Sequence, residues 1–249
     1  MNRFQLLFLT FCLLFVFTAC TDDEGTTVNE VDPPSDALNK IMPLGASRVE
    51  GARPVFESYR YELWKLMLDG NYSVDYIGTM EDESNYPTYA GQSFDDDHEG
   101  RGGWTSGQIL DGINNWLDQI DTPDIVLFSS PGGNDALENL PYEDAISNIN
   151  AIIDALQAKN ANVTILIEQL APARSELMVE PLRTYFNRMQ ADVVKIANEQ
   201  STASSTVIPV DMASGFNDAM LADDVHYNET GAKFIATRYY DVLINLLQN

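Results

Sequence analysis

The run Ile41-Met-Pro-Leu-Gly-Ala-Ser47-Arg-Val-Glu-Gly51 decides the reading of the fold. Four apolar residues lead without a polar break into a serine with Gly45 and Gly51 on either side. A short apolar run of this kind suits a strand buried on both faces, as strands are in a parallel sheet covered by helices. Flanking glycines at the carboxyl end of such a strand permit a tight turn and the close approach of a ligand. Taken alone, the same run also describes an ordinary strand-to-helix turn with a solvated serine.

Comparable runs recur at residues 74–77, 125–128, 163–167 and 207–210, which makes five candidate strands. Between them Ala145, Ile149, Ile152, Ile153 and Leu156 repeat at helical spacing, as do Ile235, Tyr239, Val242 and Leu246. These stripes read as core faces of amphipathic helices. Residues 57–68 and 108–117 read as two more helices, and 177–198 as a longer or broken one. Short strands alternating with helices predict an α/β domain with helices layered on a mostly parallel sheet. Residues 79–105 lack periodicity and are rich in Gly, Asp, Ser and Tyr. A loop of that length in a compact domain is usually functional, and this one leaves the carboxyl end of a strand, where open parallel sheets bind ligands.

The amino-terminal residues read as an export signal. Arg3 is followed by an apolar run from Leu6 to Phe17, broken only by Thr10, that ends in Thr18 and Ala19 before Cys20. The run is too short and wrongly flanked for a spanning helix and is expected to be removed. Phe17-Thr-Ala-Cys20 resembles a bacterial lipobox, which implies residues 1–19 as signal peptide and Cys20 as a lipidated first residue. A low-hydrophobicity tether with Asp22, Asp23, Glu24, Pro33 and Pro34 follows to residue 37. Residues 38–249 then form one domain of roughly 210 residues, a size one core can stabilise. The resemblance implies an exported lipoprotein, expected in the outer membrane, with the cell surface as the further option. The only other cysteine, Cys12, lies inside the signal, so the domain has no disulfide to rely on.

The chain carries 38 acidic and 14 basic residues, a formal net charge of −24. Loss of the signal removes one base and no acid. Such a surface is repelled by nucleic-acid phosphates and by anionic lipid, so nucleic acid is excluded as a partner and neutral substrates fit best. No P-loop and no Gly-x-Gly-x-x-Gly after a strand is present, so no nucleotide cofactor is expected. Asp95, Asp96, Asp97 and His98 read as a solvated acidic turn rather than a metal site.

Metal-free ester hydrolysis needs an activated hydroxyl, an imidazole to take its proton, a group to orient that imidazole, and donors for the oxyanion. Only His98 and His226 offer an imidazole. His226 lies three residues after Asp223, close enough for the carboxylate to fix its tautomer. Ser47 supplies the hydroxyl. The stretches His98-Glu-Gly-Arg-Gly-Gly103-Trp104 and Pro131-Gly-Gly-Asn134 supply donors at loop tips, the backbone N–H of Gly103 and the side-chain amide of Asn134. Each segment alone has a bland reading: a surface histidine, a capping glycine, a turn asparagine.

In this order the four segments resemble the SGNH (GDSL-like) hydrolase superfamily. The resemblance implies a three-layer α/β/α, flavodoxin-like fold with five parallel strands. It implies Ser47 as nucleophile, Asp223 and His226 as its orienting acid and base, and an oxyanion hole made by Ser47, Gly103 and Asn134. Arg48 and Trp104 are possible substrate contacts. The family's first block reads Gly-Asp-Ser, whereas Ala46 stands here before Ser47. The stretches Tyr59-Arg-Tyr-Glu-Leu-Trp64, Val74-Asp-Tyr-Ile-Gly78 and His98-Glu-Gly100 look like the acetyl xylan esterase branch. That branch implies removal of acetyl groups from carbohydrate. The alternatives are a lysophospholipase-like or general carboxylesterase, or a catalytically weakened glycan-binding surface lipoprotein, which Ala46 alone recommends.

Overall fold

The computed structural model of the protein describes residues 39–247 apart from residue 83. The expected signal peptide, Cys20 and the tether lie outside the described residues. Six strands form one sheet: β1 (Lys40–Gly45), β2 (Asp75–Tyr76), β3 (Glu99–Gly100), β4 (Ile125–Phe128), β5 (Thr164–Gln169) and β6 (Val207–Asp211). The order is β2-β1-β4-β5-β6, and every pairing is parallel. All five predicted strands are present. The sixth, β3, comes from the aperiodic stretch and pairs Leu44 with Glu99 and Gly45 with Gly100. It takes the same edge of β1 that β2 covers nearer the start, at Lys40 and Ile41. The long segment therefore leaves the sheet after Tyr76 and returns to it beside the serine turn.

The helices are α1 (Ser47–Glu50), α2 (Arg60–Asp69), α3 (Ser106–Leu117), α4 (Gly133–Leu137), α5 (Tyr142–Lys159), α6 (Leu182–Gln200) and α7 (Glu229–Leu243). The pleat sends alternate strand residues to opposite faces. Met42, Leu44, Val126, Phe128, Ile165 and Ile167 meet α3, α5 and α6 on one side. Ile41, Ile125, Leu127, Leu166 and Val210 meet α2 and α7 on the other. Three layers result, with the predicted stripe Ala145 to Leu156 buried; of the second stripe Ile235 and Tyr239 are buried, whereas Val242 and Leu246 are half-buried and Leu246 lies beyond the end of α7. Among the described residues no helix is long and apolar enough to cross a membrane.

Boundaries differ where local bonds compete with the helix. The predicted helix from residue 57 begins at Arg60, because the N–H of Glu57 donates to the carbonyl of Tyr227 and joins the loop of His226 instead. The predicted helix from residue 177 begins at Leu182. Pro181 stands at its N-cap, since proline lacks the N–H a helix interior needs. Strand β5 runs two residues past the predicted end, which brings Glu168 into the sheet.

Candidate active site

The carboxyl ends of β1 and β4 open onto the site. Strand β1 ends at Gly45, and Ser47 is the first residue of α1, whose turn is closed by N–H groups of Val49 and Glu50 donating to the carbonyl of Ala46. Ala46 contributes no side-chain cap. The Ser47 hydroxyl lies 2.9 Å from Nε2 of His226, and Nδ1 of His226 lies 2.7 Å from Oδ2 of Asp223. Oδ1 of Asp223 accepts from the N–H groups of Val225 (2.9 Å) and His226 (2.8 Å). Partial burial alone would raise the Asp223 carboxyl, but those two N–H groups and the imidazole hold it below its ordinary range. With Nδ1–H directed at a carboxylate, Nε2 is left to accept the serine proton.

The histidine loop is itself pinned. Ala222 donates to the carbonyl of His226, Arg174 donates to the carbonyl of Asp223, and Leu221 and Glu57 both pair with Tyr227. Phe56 stacks on the imidazole with ring centroids 3.9 Å apart. Nothing in the sequence singled out Phe56. Its one signal is an aromatic residue nine positions after the serine.

The other two segments reach the site through backbone contacts. The N–H of Arg101 donates to the carbonyl of Gly45, and a Cβ on Gly100 would collide with the backbone nitrogen of Glu50. Only glycine allows this close approach to α1. Gly103 follows, exposed and at φ +76°. Asn134, at the start of α4, donates through Nδ2 to the carbonyl of Trp104 (2.8 Å), and Asp135 accepts from both the N–H and hydroxyl of Ser106. One amide hydrogen of Asn134 remains for a ligand.

A cleft of about 400 Å³, open to solvent, lies at Ser47 and is walled by Ala46, Asn134, Leu137, Leu170, Phe186 and Val225. Ser47, Asn134 and the residue before His226 thus share one cleft, and Gly103 is not among its lining residues. Trp104 packs on Trp116, with centroids 5.6 Å apart, and lines a smaller neighbouring cavity beside Asn134. Arg48 edges the cleft but is buried, and its hydrogen bonds run to backbone carbonyls and to Ser130. His98 is not lined up with the Ser47 hydroxyl, whose imidazole partner is His226. Burial, followed by the charges of Arg60 and Arg101, lowers the His98 imidazole to about 2, and its Nδ1 accepts from the N–H of Gly100. Asp95 accepts from the N–H of Tyr76, and the carbonyl of Asp96 accepts from Arg60, so the acidic turn is a structural joint.

Fold and cleft define an α/β ester hydrolase. The chain belongs to the GDSL-like lipase/acylhydrolase family, whose model matches residues 71–234, a span that includes Gly103, Asn134, Asp223 and His226 but begins after Ser47. Among solved structures it is similar to a carbohydrate esterase family 3 protein from Talaromyces cellulolyticus, at 29% identity and a TM-score of 0.73, over 84% of this chain and 97% of that one. It is similar to an acetyl esterase mutant solved with acetate ion, at 28% identity and a TM-score of 0.72, over 84% and 97%. A family 3 carbohydrate esterase from Clostridium thermocellum matches at 30% identity and a TM-score of 0.66, over 84% and 99%. No curated protein sequence matches the chain. These likenesses place it in the SGNH hydrolase superfamily.

Proposed function

We propose that the protein is a serine esterase that removes short acyl groups, acetyl foremost, from carbohydrate. The observation that carries the mechanism is the hydrogen-bonded line from Ser47 Oγ through His226 to Asp223. Ser47 Oγ attacks the ester carbonyl while His226 Nε2 takes its proton. The tetrahedral oxyanion is met by the free amide hydrogen of Asn134 and the backbone N–H groups of Ser47 and Gly103. As the intermediate collapses, His226 returns the proton to the leaving alcohol and the acyl group stays on Ser47. Water, deprotonated by His226, then attacks the acyl-enzyme and releases the acid. Asp223 keeps Nδ1 protonated and stabilises the imidazolium in both halves.

Support for the substrate class comes from the similar proteins, a carbohydrate esterase family 3 protein and an acetyl esterase mutant solved with acetate ion. The net charge of −24 favours a neutral polymer over a phospholipid surface. The apolar cleft walls Leu137, Leu170 and Phe186 favour a second reading, a general carboxylesterase that takes longer acyl chains. We place the protein on the membrane through a lipidated Cys20, which fatty-acid labelling of the expressed full chain and its Cys20→Ala variant would test.

Acetate release from acetylated xylan and p-nitrophenol release from its acetate ester, each compared with Ser47→Ala, test the function. Turnover of both, lost in the variant, is the expected result. Cleavage of the small ester alone removes the carbohydrate assignment. No turnover by folded wild type, with binding of acetylated xylan retained, gives the protein over to the glycan-binding alternative.

A further inference from the structure

A buried polar network lies beside the serine turn, and the proton transfers above do not use it. Arg48 follows Ser47 in α1 and is 7% exposed. Its Nε donates to the carbonyl of Val225 (2.8 Å), its Nη1 to the carbonyl of Ala171 (2.8 Å) and to Ser130 Oγ (3.4 Å), and its Nη2 to the carbonyl of Pro172 (3.3 Å). One guanidinium therefore links the serine turn to the loop of His226, the loop after β5 and the turn that precedes Asn134. Lysine has no such fork of donors.

Glu168, fully buried near the end of β5, holds the same turn from the other side. Its Oε2 accepts from the N–H (2.7 Å) and hydroxyl (3.2 Å) of Ser130, and its Oε1 accepts from the hydroxyl of Tyr239 (2.9 Å). Ser130 has φ +47°, a conformation that residues other than glycine keep only where their surroundings over-determine it. It opens the turn Pro131-Gly-Gly-Asn134 that carries the amide. Burial pushes the Glu168 carboxyl up, while the Ser130 N–H, the Tyr239 and Ser129 hydroxyls and the Arg48 charge act against it.

We propose that Arg48 and Glu168 are positioning residues that hold the Asn134 turn and the His226 loop in register with Ser47. The inference rests on the serine-esterase reading of the cleft. Neither side chain meets the reacting atoms. Arg48 fixes the loops through their carbonyls, and Glu168 fixes the left-handed residue from which the Asn134 turn starts. Ala46 offers no polar side chain to the serine turn, and Arg48, two positions later, supplies its ties to the neighbouring loops.

Glu168→Leu, Glu168→Gln and Arg48→Lys test this on p-nitrophenyl acetate, with Ser47→Ala in parallel. In Glu168→Leu kcat is expected to fall at least about tenfold while KM stays within about threefold, because the misplaced group matters in the transition state. Glu168→Gln keeps an oxygen for the Ser130 N–H and is expected to recover most of that loss. In an Asn134→Ala background, Glu168→Leu should cost less than about twofold, since the two act through one amide. A folded Glu168→Leu with wild-type kcat, or effects that simply multiply with Asn134→Ala, overturns the proposal and leaves the esterase reading standing. Turnover surviving in Ser47→Ala overturns the esterase reading instead. Amide hydrogen exchange gives a readout independent of turnover: residues 129–134 should exchange faster in Glu168→Leu, and residues 222–227 faster in Arg48→Lys. Unchanged exchange in both variants, including where one of them folds poorly and the other is read alone, sinks the idea.

Discussion

Phe56 lies flat on His226, with ring centroids 3.9 Å apart and planes inclined by 13°. The contact covers one face of the imidazole that, in the proposed mechanism, becomes an imidazolium when it takes the serine proton. An aromatic face attracts a cation by about 0.5–2 kcal/mol, more when water is kept out. Phe56→Ala should therefore lower kcat about tenfold with little change in KM, and Phe56→Tyr should stay near wild type. Steady-state kinetics on p-nitrophenyl acetate decide this, and an alanine variant with unaltered kcat would show that the ring only fills space.

Asn134 donates one amide hydrogen to the carbonyl of Trp104, so the orientation of the other is fixed before substrate arrives. Removing one oxyanion donor commonly costs about 10²–10³ in rate. Asn134→Ala should show a loss of that size in kcat while its melting temperature stays close to wild type. A kcat matching wild type would remove Asn134 from the oxyanion hole.

Asp223 is held below the ordinary carboxylate range by the N–H groups of Val225 and His226 and by the imidazole. It therefore meets the imidazole as a carboxylate through the ordinary carboxylate range. Asp223→Asn should lower kcat by about 10²–10⁴, because an amide neither fixes the tautomer nor stabilises the imidazolium. An Asp223→Asn variant with wild-type kcat on p-nitrophenyl acetate would contradict this assignment.

The sequence is legible where a residue's own chemistry marks it. Three of the five predicted strands are continuous apolar runs, and Ser47, Asn134, Asp223 and His226 stand among glycines and loop residues that announce a site. Strand β3 was not legible, because two residues have no period and their place is set by pairing with Leu44 and Gly45. The ties of Arg48 leave no sequence signal, because its partners are the carbonyls of Val225, Ala171 and Pro172, which any residue would offer. Phe56 and His226 meet only through the pairing of Glu57 with Tyr227, a contact between distant segments. Glu168 left one trace, an acid just beyond the apolar run that became β5.

Arg60 is fully buried and donates to Asp82 (2.6 Å) and to the carbonyls of Val49, Glu50 and Asp96. Asp82 is nearly as buried, with a side chain 6% exposed. Removing one partner of such a pair strands the other charge, at a cost of about 3–5 kcal/mol. Arg60→Met should therefore lower the urea midpoint sharply and, through Val49 and Glu50, loosen α1 as well. Arg183→Ala, at an exposed pair with Glu180, should leave the midpoint in place. Equal midpoints for the two variants would mean that the buried pair is not structural.

Asp95 gives the stability a pH dependence of definite sign. Burial, against the pull of the Tyr76 N–H and with the charges of Asp75 and Asp96 adding to it, pushes its carboxyl up to about 7. An unfolded aspartate titrates near about 3.9. Between those values the folded chain binds more protons than the unfolded one, so stability falls as pH rises from about 4 to about 7 and levels off above. Burial raises Glu50, Glu57, Asp96, Glu99 and Glu168 as well, and these add to the same slope. His98 has the opposite sign in the same window: burial lowers its imidazole to about 2, so it stays neutral in the fold while an unfolded histidine takes a proton below about 6.5, and it adds stability as pH rises toward that value. Asp223 also has the opposite sign, but its contribution is lost only as pH drops below the ordinary carboxylate range. The Asp95 contribution is therefore read as the difference between Asp95→Asn and wild type: relative to wild type, the urea midpoint of the variant should rise from pH 5 to pH 8, and parallel pH profiles for the two would mean that this carboxyl reaches water in the folded state.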